Sequence, residues 1–97
     1  MSAELQAKRF YVCGMVQGVG FRYFARRLAA RVGVGGYVRN LMDGRVEVYA
    51  VGSDEQLRSL AAELERGPIS ASVERVEEEA ADVVDKYAEW FAIEHGA

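Results

Sequence analysis

The chain has 97 residues, 51% of them hydrophobic, with one proline and a single cysteine, Cys13. This is enough for one compact core, while a lone thiol excludes an intrachain disulfide, a thiolate metal cage and a CxxC redox pair. The net charge of -3 conceals an asymmetry: residues 1–45 carry eight Lys and Arg against Glu4 and Asp43, and the remainder carries four basic residues against thirteen acidic ones. An anionic ligand is therefore expected on the first half. No apolar run reaches signal-peptide or membrane-span length, so the expectation is a cytoplasmic protein with no membrane contact. A single domain over 1–97 is expected, with 1–6 loose.

In chain order, Phe10-Tyr-Val-Cys-Gly alternates as a strand does, with Phe10 and Val12 on one face and Tyr11 and Cys13 on the other. The period then changes. Phe21, Phe24, Ala25, Leu28, Ala29 and Val32 form a helical stripe that Arg22, Arg26, Arg27 and Arg31 avoid, and Gly33 ends the helix. Two β-rich runs, Gly36–Leu41 and Arg45–Val51, flank Asp43-Gly44 and should pair antiparallel. Ser53-Asp-Glu-Gln56 has the form of a capping box opening a second helix with Leu57, Leu60, Ala61 and Leu64 inward, stopped at Gly67-Pro68. A fourth strand is expected from Val73–Val76, a loop or strand extension over Glu77–Asp85, and a last short strand at Trp90–Ile93. The order βαββαβ, with a fifth strand possible, predicts an α+β ferredoxin-like sandwich: two helices on one face of a four- or five-stranded, mainly antiparallel sheet. Such a fold hosts many functions and decides no chemistry.

The junction between the first strand and the first helix, Val16-Gln-Gly-Val-Gly-Phe-Arg22, carries the chemistry. Amides at a helix start lack intrahelical acceptors and, with the helix dipole, attract an anion. Gly18 and Gly20 can take positive φ and curl successive N–H groups into a nest for phosphate oxygens, and the planar fork of Arg22 can grip two of them. A Rossmann fingerprint fails at Tyr23, and no Gly-Lys-Ser or Gly-Lys-Thr of a Walker loop occurs. Spacing alone supports a plain tight connection as well as an anion site. Asn40, a donor and an acceptor just before the hairpin, favours the site, though Asn beside an Asp-Gly turn is also ordinary turn chemistry.

These residues resemble the acylphosphatase family. Its signature Gly-x-Val-Gln-Gly-Val-Gly-Phe-Arg is met by Gly14–Arg22, and its second, Gly-x-Val-x-Asn with an Asp-Gly turn, by Gly36-Tyr-Val-Arg-Asn40 and Asp43-Gly-Arg-Val-Glu-Val. The resemblance implies hydrolysis of acyl phosphates to a carboxylate and inorganic phosphate, without metal or cofactor. It further implies that Arg22 and the loop amides of Gln17, Gly18, Val19, Gly20 and Phe21 hold the phosphoryl group while Asn40 positions the water. Inorganic phosphate would be product and competitive inhibitor, and the protein a monomer without a nucleic-acid partner. Two positions depart from the family: Glu94 follows Phe91-Ala-Ile93 where a basic residue is usual, and Tyr37 stands where Trp is frequent.

The remaining candidates read more plainly. His95, the one histidine, is taken as a solvated tail residue. Arg26, Arg27 and Arg31 read as a solvated helix face, with a widened anion-attracting surface as the rival reading. Cys13 reads as a strand residue, Glu77–Glu79 as a solvated strand end, and Trp90 and Phe91 as core or sheet-edge aromatics. An RNA-recognition module shares the βαββαβ order, but Arg45-Val-Glu-Val-Tyr lacks its stacked aromatics, and the acidic balance opposes it. A phosphate-binding regulatory domain is the third reading, opposed by the presence of Asn40.

Overall fold

The computed structural model describes residues 4–95. Its elements are β1 (Gln6–Met15), α1 (Phe21–Val32), β2 (Gly35–Asn40), β3 (Val46–Gly52), α2 (Asp54–Arg66), β4 (Ser72–Ala81), a 3-10 turn (Asp85–Tyr87) and β5 (Phe91–Ile93). The sheet order is β4-β1-β3-β2-β5, antiparallel throughout except that β5 runs parallel to β2. Both helices lie on one face, as a ferredoxin-like α+β fold requires.

The strand and helix periods explain the layering. Phe10, Val12, Val38, Val46, Val48 and Ala50 face the helices, and Phe21, Ala25, Leu28, Ala29, Leu57, Leu60 and Leu64 return the contact in one core. Phe24 and Val32, at the margins of the α1 stripe, are partly buried against it. Burying each large apolar side chain contributes about 1.5–3 kcal/mol. Truncating fully buried Leu60 to Ala would cost about 2–5 kcal/mol.

Several expectations are refined. Of the segment 1–6 expected to be loose, residues 1–3 lie outside the described residues; Gln6 is a correction, since it opens β1 and pairs with Gly52. β4 takes up most of the acidic run, because Glu77, Glu78 and Glu79 sit opposite Tyr11, Phe10 and Arg9, and the latter two glutamates find side-chain partners along β1. Lys8 pairs with Glu78, and the Tyr11 hydroxyl donates to Glu79. Charged side chains on an outer strand also discourage pairing with another chain. Trp90 is not in the core: it is 72% exposed just ahead of the edge strand β5, and Phe91 takes the inward position.

The helix ends differ in kind. α2 has the expected reciprocal cap, with the Ser53 hydroxyl accepting from Gln56 N and Gln56 Oε1 accepting from Ser53 N, followed by Asp54 and Glu55 in its first turn. α1 has neither a side-chain cap nor an acidic residue in its first turn. Its positive end is left for something else.

Candidate active site

Five residues, 16–20, carry the chain from β1 to α1. Val16 anchors the start of the loop in the core, at 1% exposure. Gly18 and Gly20 then adopt left-handed φ of 75° and 78°, and a Cβ on either would meet nothing within 4 Å. Glycine is thus required by backbone conformation, since space is plentiful.

The loop is fastened on two sides. Gln17 Nε2 donates to Leu41 O at 2.7 Å and Arg45 O at 2.9 Å, tying the loop to the β2–β3 hairpin. On the other side the Ser70 hydroxyl donates to Val19 O at 2.8 Å. In a trans peptide the carbonyl and the next N–H point opposite ways, so the Gly20 N–H is turned away from Ser70. Among the described residues no protein acceptor is found for the N–H groups of Gln17, Gly18, Val19 or Gly20. Unpartnered amides at a helix start are the usual anion-binding arrangement.

Arg22 and Asn40 meet here. A cavity of 110 Å³ is lined by Val16, Gly18, Gly20, Phe21, Arg22, Tyr23 and Asn40. Asn40 reaches it because β2 alternates: Val38 faces the helices, so Asn40, two residues on, faces the same side. The predicted residues Gly18, Gly20, Phe21, Arg22 and Asn40 are therefore brought together. The side chains of Gln17 and Val19 are not in the lining; one clamps the hairpin and the other packs partly buried against the core.

Three features escaped the sequence reading. Tyr23, used there only to reject a nucleotide fingerprint, lines the cavity while 55% exposed. The Gln17 side chain, named there only as part of the loop, fastens that loop to the hairpin. On the sheet face away from the helices, Glu47 is buried at 3% exposure between Arg39, at 2.6 Å, and Arg9, at 3.4 Å, and accepts from the Tyr37 hydroxyl. Its hydrogen bond holds the Arg39 guanidinium above its ordinary pKa. The stacked rings of Tyr37 and Tyr49, with Tyr87 against both, complete that face. The signal was available: Arg39 and Glu47 lie equally far from the turn at Asp43 and face each other in the hairpin. The network stiffens the strand pair that ends in Asn40.

Asp43 shapes the turn itself, accepting from Arg45 N and Arg45 Nε, and the backbone bond holds its carboxyl below the usual range. A larger cleft of 490 Å³ nearby, lined among others by Cys13, Asp43, Arg45, Arg75 and Glu77, is a poor rival despite its size. Its arginines are already paired, Arg45 with Asp43 and Glu77, and Arg75 with Glu77. Among the described residues no group of three His, Cys, Asp or Glu side chains could hold a metal ion, and His95 is exposed beyond β5.

Comparison with known proteins identifies the family and the fold. The family model described as Acylphosphatase matches residues 8–93. An acylphosphatase of Solibacter usitatus (strain Ellin6076) is 54% identical over 78 residues, covering 80% of this chain and 81% of that protein. One from Pasteurella multocida (strain Pm70) is 59% identical over 76 residues, covering 77% and 84%. The crystal structure of acylphosphatase from Bacillus subtilis superposes with a TM-score of 0.84 at 33% identity, covering 93% of this chain and 98% of that one. With a match over most of its length and a shared fold, this chain belongs to the acylphosphatase family.

Proposed function

We propose that the protein hydrolyses the carboxyl–phosphate anhydride of acyl phosphates, with the amides of Gln17–Phe21 and Arg22 holding the phosphoryl group and Asn40 positioning the water. The observation that carries this reading is the shared cavity: Arg22, at an uncapped helix start, and Asn40, from a separate strand, line the same 110 Å³. Water attacks phosphorus opposite the acyl oxygen, the P–O bond to the acyl group breaks, and the carboxylate leaves with the bonding pair. A dianionic substrate and water thus give a carboxylate and dihydrogen phosphate, the second water proton remaining on phosphate.

A carboxylate is a good leaving group, so fixing the geometry and stabilising the equatorial oxygens can suffice. Fixed amides and a guanidinium in a small cavity provide both without reorganising. The Asn40 amide can donate to a phosphoryl oxygen while its carbonyl accepts from the water. The reading includes turnover without a metal ion, inhibition by inorganic phosphate, and a single-domain monomer. Benzoyl phosphate hydrolysis by the purified protein in EDTA, with its mass measured in solution, tests it. Turnover that survives chelation and is competitively inhibited by inorganic phosphate is expected; absence of hydrolysis while phosphate still binds would leave a phosphate-binding domain instead.

A further inference from the structure

The cavity beside Arg22 is small. At 110 Å³ it has room for a phosphoryl group and the attacking water. Resting on the acyl phosphate reading above, the acyl half must then lie across the rim. Tyr23 is the rim's exposed aromatic, and the Arg26 guanidinium lies 5.4 Å from the centre of its ring. Such a contact holds a long side chain in place at little cost to its charge.

The helix geometry puts Arg26 next to the site. At 3.6 residues per turn it falls about 40° around the axis from Arg22, between Arg22 and Tyr23, and about 6 Å along it. Helical side chains lean toward the N-terminus, which brings the guanidinium back over the turn that carries Arg22. Arg26 also forms part of the wall of a separate cleft of 310 Å³ with Ala29, Ala30, Trp90 and Glu89. Through its contact with the Tyr23 ring it stands at the rim of the anion cradle.

Its charge is unspent. Among the described residues Arg31, Arg58, Arg66 and Arg75 are paired with carboxylates, whereas no carboxylate lies within ion-pair distance of Arg22, Arg26 or Arg27. Glu89 shares the cleft wall but makes no ion pair with Arg26. We propose that Arg26, held on Tyr23, reads the acyl half, and that the preferred substrates are acyl phosphates whose acyl group carries a second negative charge.

The test compares para-carboxybenzoyl phosphate with para-nitrobenzoyl phosphate, isosteric at the para position and differing there in charge. The readout is the ratio of their kcat/KM values, compared between variants so that intrinsic reactivity cancels. Because Arg26 is exposed, Arg26→Ala is expected to lower the carboxylate preference about three- to fivefold, and added salt to erode it. Arg26→Lys should keep most of the preference. Arg27→Ala is the control: it is equally unpaired but about 140° from Arg22, and should leave the ratio alone. An unchanged ratio in Arg26→Ala, or an equal fall in Arg27→Ala, overturns the assignment. If the unmodified protein hydrolyses neither compound, the acyl phosphate reading itself fails and takes this inference with it.

Discussion

Gln17 and Leu41 are joined across 24 positions of sequence by a 2.7 Å hydrogen bond from the Gln17 amide to the Leu41 carbonyl. The second amide proton goes to Arg45 O, which also accepts from Leu41 N across the turn. One side chain thereby fixes the loop that leads to Arg22 relative to the hairpin that begins just after Asn40. Gln17→Ala is expected to lower kcat about tenfold through misplacement of Asn40, with a smaller change in phosphate affinity and a stability loss of about 1–2 kcal/mol. Steady-state kinetics with phosphate inhibition, alongside urea unfolding, separate these. A variant that loses stability but keeps kcat would show that the clamp serves folding alone.

Arg22 and Asn40 should fail differently. Arg22→Ala removes the guanidinium from the cavity and is expected to abolish both inorganic phosphate binding and turnover. Asn40→Ala leaves the loop amides and Arg22 intact, so phosphate affinity should persist while kcat falls about 10² to 10³-fold. Calorimetric phosphate titration of both variants checks the first half and initial rates the second. Strong phosphate binding by Arg22→Ala would move the anion site elsewhere.

Gly20 has room for a side chain but the wrong backbone for one. With φ at 78° and no atom within 4 Å of an added Cβ, Gly20→Ala should cost about 1–2 kcal/mol as strain, or relax and turn the loop amides away from the cavity. The first lowers stability and the second weakens phosphate binding. Gly20→Asn should be milder, because Asn tolerates the left-handed region better than Ala. Urea unfolding and phosphate titration of the pair decide it, and equal behaviour of Ala and Asn would argue against a conformational cause.

The Tyr87 hydroxyl donates to Glu94 at 2.7 Å, and that bond, followed by burial, raises the phenol to about 12 from an ordinary value of 10.0. A raised acid favours the protonated folded state. Its stabilisation is therefore complete below about pH 10 and is lost as pH rises toward about 12. Tyr87→Phe should remove roughly 1 kcal/mol below pH 10, discounted for partial exposure, and should flatten the alkaline decline. Ultraviolet titration of tyrosinate and unfolding at two alkaline pH values measure both sides. The unusual Glu94 thus has a local partner in the Tyr87 hydroxyl.

Much of the fold was legible because local rules and tertiary packing agree. Ser53 and Gln56 announce the α2 cap in four letters, and the α1 stripe from Phe21 to Val32 follows from its period alone. Strand ends were less legible: β4 runs on to Ala81 because Glu78 and Glu79 find Lys8 and Tyr11 on β1, long-range partners that no window of sequence contains. The same holds for Gln6, which is held by Gly52.

The sequence by itself determined the element order, the glycine loop ending in Arg22, and the family resemblance, because each depends on residues a few positions apart. Tertiary structure alone decided that Asn40 opens into the cavity with Arg22, that Gln17 clamps the hairpin, and that Glu47 is buried between Arg9 and Arg39. Those relations depend on sheet order and on which face each strand turns to the helices. Spacing along the chain sets the period of a side chain, but the distance between two elements is set by how they pack.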